Sequence, residues 1–159
     1  MKTTAVKTKT IKILGIDYGE ARIGLALFDD PEFGARALDT VDVTVTTAVK
    51  IIAARAIKEG ASSLVVGLPL RMDGKEGGPA RNVRKFAQSL AAVTKLTVAF
   101  QDERLTSAQA HTERKQSGAV TDRRGIDARA ATILLETYLA AKGLLCPKPS
   151  HQDDYLDNE

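Results

Sequence analysis

Aromatic residues are scarce in this 159-residue chain. There is no Trp, and Phe and Tyr together make up only 4% of it. Aromatic stacking on bases or sugars is therefore not expected to be its main binding mode. Cys146 is the only cysteine, which excludes an intramolecular disulfide and fits a reducing compartment. It lies near the end of the chain without a nearby His, so no thiol nucleophile is expected. His111 and His151 are the only histidines. They are far in sequence from each other, and neither forms a zinc-binding pattern. No apolar run is long enough to span a bilayer, and the start, MKTTAVKTKT, has no apolar stretch of the secretory type. A cytoplasmic protein without membrane association is expected. No glycine-rich stretch carries the Gly-Lys-Ser or Gly-Lys-Thr of a P-loop, and Gly77-Gly78 is no exception.

What remains is the composition of an ordinary globular domain, 43% hydrophobic and 27% charged, in a chain long enough to bury a substantial core. The net charge of +3 is unevenly spread. Residues 1–12 carry four lysines and no acid, while residues 146–159 carry Lys148 against Asp153, Asp154, Asp157 and Glu159. Residues 1–10 read as a flexible basic arm, 11–143 as one folded domain, and 144–159 as a Pro-rich acidic tail expected to be disordered.

Within the domain, strands are expected over residues 11–17, Arg22 to Phe28 and, more weakly, Ala37 to Val43. Thr46 or Thr47 caps a helix with core residues Val49, Ile52, Ala53, Ala56 and Ile57, ended by Gly60. Ser63 to Gly67 reads as a buried strand, followed by a loop from Leu68 to Gly78. Gly67 and Pro69 shape that loop, and Gly74, Gly77 and Gly78 make it mobile enough to close over a substrate. Pro79 starts a helix carrying Val83, Phe86, Ala87 and Leu90. A strand over Leu96 to Phe100 follows. Thr106 and Gln109 then open a helix closed by Gly118, and a last helix carries Ala130, Ile133, Leu134 and Leu139. This order implies an α/β fold, a mixed central sheet of about five strands flanked by helices.

Three acids stand at the ends of apolar elements. Asp17 ends Ile13-Leu14-Gly15-Ile16, Glu103 follows the strand ending at Phe100, and Asp127 opens the last helix. Clustered carboxylates repel one another and lose hydration when buried, and a divalent cation removes both problems. The three form a candidate metal site able to act on phosphate esters. Each has a plainer reading. Asp17 can cap the turn at Gly19, Glu103 can pair with Arg104 or Arg22, and Asp127 can be a first-turn acid favoured by the helix dipole.

The stretches GIDYGEARIGLAL, VVGLPLRMDGKEGGPARNVRKFA, DERLTSAQA and IDARAATILLETYL resemble the YqgF family, also called RuvX. That family comprises pre-16S rRNA nucleases similar to Holliday junction resolvases, with an RNase H-like fold. The resemblance runs over residues 12–141. It implies that Asp17, Glu103 and Asp127 are the catalytic, metal-holding acids, with Mg²⁺ or Mn²⁺ as cofactor. True resolvases carry a further acid one turn after the last Asp, where this chain has Ala130. Asp102 or a substrate phosphate is then needed to complete the shell of a second metal.

Arg71, Lys75, Arg81, Arg104, Arg123 and Arg124 are candidate contacts for a nucleic-acid backbone, since phosphate contacts position a substrate without reading its sequence. Arg71 replaces the Asn usual in the family's GLPLxMDG motif. Arg84 and Arg129 belong to the same basic layer, whereas Lys85 reads as part of a solvated helix face. The expected activity is metal-dependent phosphodiester hydrolysis at the 5′ end of precursor 16S rRNA, by a monomer or homodimer. Alternatives are a Holliday junction resolvase-type endonuclease on branched DNA and a non-catalytic nucleic-acid-binding module. A third, an ATP-dependent phosphotransferase suggested by Asp17-Tyr18-Gly19 with Gly24, needs a second such domain for which the chain has no room.

Overall fold

The computed structural model describes residues 10–104 and 123–145. The helix expected from Thr106 to Gly118, residues 1–9 of the basic arm and residues 146–159 of the tail lie outside the described residues. The described elements are β1 (Ile13–Tyr18), β2 (Arg22–Asp30), β3 (Gly34–Asp42), α1 (Val45–Glu59), β4 (Ser63–Leu68), α2 (Gly78–Thr94), β5 (Thr97–Asp102) and α3 (Arg123–Ala141).

The strands form one mixed sheet in the order β3-β2-β1-β4-β5. β1 and β2 are joined by a tight turn closed by the Gly19 N–H donating to the Arg22 carbonyl at 2.9 Å. They pair antiparallel, with Asp17 opposite Gly24. β1 pairs parallel with β4, and β4 parallel with β5. The carboxyl ends of β1, β4 and β5 therefore share one edge of the sheet, as crossover connections require. β3 is a full nine-residue strand, longer than its weak pattern implies.

Side-chain alternation divides the molecule into two layers. Leu14, Ile16, Ile23, Leu25, Leu27, Leu64 and Val66 face α1 and α2, where Ile52, Ala56, Val83, Phe86 and Leu90 meet them. Ile13, Ala26, Phe28 and Val65 face α3, against Ala131, Leu134, Leu135 and Leu139. The same alternation puts Asp17 on the α3 side, because Ile13, Gly15 and Asp17 are two residues apart.

The helices differ from expectation at three points, two of them boundaries. α1 is capped by Thr44, not Thr46 or Thr47; the Thr44 carbonyl accepts from Thr47 and Ala48 N–H, each at 2.9 Å. Its end at Gly60 is as expected, with φ of 71° and the Gly60 N–H donating back into the last turn. Ile57 lies outside the buried stripe and is 73% exposed, whereas Ala48 is fully buried. α3 is helical from Arg123, so Asp127 sits in its second turn rather than opening it, and its first turn contains no acid.

Candidate active site at the carboxyl edge of the sheet

Asp17 is the penultimate residue of β1, and Glu103 immediately follows β5, placed there by its N–H donating to the Leu68 carbonyl at 3.2 Å. Between them, in β4, lies Gly67. A side chain at this position would put its Cβ 2.1 Å from Glu103 Oε1 and 2.4 Å from Leu134 Cδ1. The expectation that Gly67 only shapes the following loop is thus corrected. It is a strand residue, and its missing side chain is the space that the Glu103 carboxyl occupies.

Across that space the Asp17 and Glu103 carboxyls interact, and a proton held between them would relieve their repulsion. Burial raises the Glu103 pKa to about 8, helped by the negative charge of Asp17, the hydrogen bond to it, and Asp102. Burial also raises the Asp17 pKa; the bond to Glu103 acts against this shift and the charge of Asp127 reinforces it. Both shifts favour retention of a proton by the pair.

Asp127 comes from the helix layer. Gly24, opposite Asp17 on β2, allows α3 to approach so closely that a Cβ there would lie 2.1 Å from the Asp127 carbonyl oxygen. The Asp127 carboxylate itself accepts from Arg22 Nε at 2.8 Å, an ion pair spanning 105 positions of sequence. Arg22 and Gly24 are on the same face of β2, so the contact follows from alternation.

The plainer readings of the acids fail for specific reasons. The β1–β2 turn is closed by backbone, with no role for Asp17 as a cap. Arg22 is paired with Asp127, and Arg104 turns to Asp102, with Nη2 2.7 Å from its Oδ2. Asp102 is consequently held ionised below its ordinary pKa by Arg104 and is occupied as a ligand. Ala130 is half-buried on α3 and supplies no oxygen.

The expected phosphate-binding cations divide. Arg71 and Lys75 are exposed on a small hairpin after β4, and Arg81 is exposed near the start of α2. Arg71 reaches Asp73 only at 3.7 Å. Arg104 is fixed beside the hairpin by Asp102, and its Nη1 lies 3.6 Å from where a Cβ on Gly74 would be. Arg123 and Arg124 belong to the first turn of α3, but their side chains lie outside the described residues. Arg84 is a strut: its Nε donates to both Glu76 oxygens at 2.8 and 2.9 Å, and its guanidinium covers the Phe100 ring at 4.7 Å.

The hairpin is braced. Leu70 and Glu76 form an antiparallel bridge, Arg71 N–H donates to the Lys75 carbonyl at 2.9 Å, and Gly74 N–H to the Arg71 carbonyl at 2.8 Å. Gly74 has φ of +80°, the left-handed conformation that closes a three-residue hairpin loop. The loop expected to be mobile is thus internally tied and joined to α2 through Glu76.

Three carboxylic acids on one edge, two of them half-buried with raised pKa values, are oxygen donors of the kind hard divalent cations prefer. Among the described residues no three such side chains converge closely enough to cage an ion, because Asp127 is drawn toward Arg22. The Asp17–Glu103 pair fits a cation in place of its proton, and Asp127 fits as a third donor on leaving Arg22.

The profile of the RuvX family, described as Holliday junction resolvase, matches residues 11–141. The chain belongs to the RuvX family. It is 41% identical over 132 residues to a protein of Anaeromyxobacter sp. (strain Fw109-5), covering 81% of this chain and 96% of that one. A protein of Syntrophus aciditrophicus (strain SB) is 40% identical over 134 residues, covering 82% and 89%. Both are named "Putative pre-16S rRNA nuclease". RuvC of T. thermophilus, solved in complex with a Holliday junction substrate, superimposes with a TM-score of 0.56 at 16% identity over 87% of this chain and 99% of RuvC. The fold is RNase H-like, as expected. No helix among the described residues is long and apolar enough to cross a membrane.

Proposed function

We propose that this RuvX-family chain is a metal-dependent nuclease that hydrolyses phosphodiester bonds of structured RNA in the cytoplasm, processing the 5′ end of precursor 16S rRNA. The observation that carries the proposal is the approach of the Asp17 and Glu103 carboxyls at the sheet edge, in the space left by Gly67 and near Asp127, with both carboxyls pushed above their ordinary pKa by burial. This arrangement is poor for stability and suited to a hard cation. The relatives' names support the RNA substrate. Asp17 and Glu103 would hold Mg²⁺ or Mn²⁺, with Asp127 as third donor. When bound, the ion lowers the pKa of a coordinated water and offsets charge on the phosphate. Holding the ion would require the Asp17–Glu103 pair to be deprotonated and Asp127 to leave Arg22, which would free Arg22 for a phosphate. Arg71, Lys75, Arg81 and Arg104, with Arg123 and Arg124 on α3, orient the backbone.

The test is cleavage of end-labelled structured RNA and a four-way DNA junction in Mg²⁺, Mn²⁺ and EDTA, with wild type and Asp17→Asn. RNA cutting that needs the metal and disappears in Asp17→Asn is the expected outcome; unchanged turnover in the mutant would remove the triad assignment. Symmetric cutting of the junction by a dimer would move the substrate to branched DNA, a reading favoured by the family's description as a resolvase. Tight, metal-independent RNA binding without turnover would make the chain a binding module, with Asp127 permanently engaged by Arg22.

A further inference from the structure

Of the large apolar side chains left exposed, Met72 is the most exposed, at 93%. The others lie away from the acids. Ile11 precedes β1, Phe33 is in the β2–β3 turn, Ile57 is near the end of α1, and Val93 is near the end of α2. All four are at the amino end of the parallel strands, and Ile51 is midway along α1. Among the described residues Met72 alone stands at the carboxyl edge, where Asp17 and Glu103 are.

Its position is also fixed. Met72 follows Arg71 at the tip of the braced hairpin, whose legs are tied by the Arg71–Lys75 and Gly74–Arg71 hydrogen bonds. Asp73 Oδ1 accepts from Lys75 N–H at 3.0 Å, tightening the tip. The base of the hairpin is anchored to α2 by Glu76 and Arg84, and the tip lies beside Arg104, one residue past Glu103. Exposed Arg71 and Lys75 flank the methionine.

An unbranched apolar side chain held out into water, between two cations and beside a nuclease-type acid cluster, matches the wedge that nucleic-acid-binding proteins insert between base steps. The flanking cations meet phosphates while the thioether takes the apolar face of an unstacked base, a contact suited to its polarisability. In a chain without Trp, methionine fills a role that aromatic residues often serve.

We propose that Met72 is a wedge that unstacks a base at the end of a base-paired stem, presenting the adjoining phosphodiester to the acids. This rests on the nuclease reading above. The probe is an RNA stem with a single-stranded 5′ extension and 2-aminopurine at its terminal pair, bound in EDTA and then cleaved with Mn²⁺. The wild-type chain and Asp17→Asn should both raise 2-aminopurine fluorescence on binding. Met72→Ala and Met72→Gln, the latter of similar length but polar, should lose most of that rise while binding within about threefold. Their cleavage should slow by about tenfold, and Met72→Phe should restore both signals. Fluorescence and cleavage unchanged in Met72→Ala would overturn the wedge. So would a flat wild-type signal on RNA that is nonetheless cut in an Asp17-dependent way, which leaves the nuclease reading intact. A Met72-dependent rise with no cleavage by wild type would support the wedge and reject the nuclease reading.

Discussion

Burial and the neighbouring Asp17 push the Glu103 carboxyl well above the ordinary range of a glutamate. Its folded-state pKa, about 8, lies above its ordinary value of 4.5, so between those limits the folded state binds the extra proton. Stability of the metal-free protein should therefore fall as pH rises through that window, and the upward shift of Asp17 acts in the same direction. Thermal melts from pH 5 to 9 in EDTA should show a declining melting temperature. Glu103→Gln, which keeps a donor for Asp17, should flatten the decline. Added Mn²⁺ should raise the alkaline end in wild type and not in the mutant. Gly67→Ala is the steric counterpart. Its Cβ would meet Glu103 Oε1 at 2.1 Å, so the carboxyl must leave Asp17. Cleavage should fall by about 100-fold, the scale set by misplacing a reacting group by about 1 Å. Activity near wild type would show that Glu103 does not act from its observed position.

Helix α3 contributes Asp127 only because the sheet lets it sit close. Besides Gly24 and Gly67, Gly15 gives way to it: a Cβ there would lie 2.9 Å from Leu135 Cβ. Gly24→Ala should destabilise the fold by about 1–3 kcal/mol through overpacking against helix backbone, which cannot rotate aside. Calorimetry would check the magnitude. A melting temperature equal to wild type would mean that α3 is free to shift outward. Much of this architecture is readable in the sequence. The ends of apolar runs locate Asp17 and Glu103 because a strand must bury itself before it can present an acid at its tip. The stripe of Val83, Phe86, Ala87 and Leu90 is likewise buried. The Arg22–Asp127 pair is not readable, because register across β2 and the docking of α3 create it from residues 105 positions apart. Nor is the role of Gly67, since a close approach from another element leaves no periodic trace. The sequence puts the start of α3 at Asp127, whereas the helix begins at Arg123 and accommodates Gly125, a poor helix former, in its first turn.

For the whole molecule, charge is arranged by place more than by amount. A net +3 gives little long-range attraction, but Arg71, Lys75 and Arg104 are on the carboxyl-edge side of the sheet with the acids, and Arg81 follows on α2. RNA affinity should fall with salt, and Arg71→Ala with Lys75→Ala should reduce the log–log slope by about 1.4, at roughly 0.7 per phosphate contact on a single strand. Filter binding over a range of KCl would measure it. An unchanged slope would place the RNA elsewhere. The two-layer packing has one more consequence. Two acids stand at strand ends of the sheet and the third rides on a helix, and glycines set how closely those layers approach. The distance between reacting groups is therefore a machining tolerance of the hydrophobic interior. A single methyl group added at Gly15, against Leu135 of α3, alters the geometry of the site without touching any acid, so variation in catalytic rate within this fold can originate in residues that never meet the substrate.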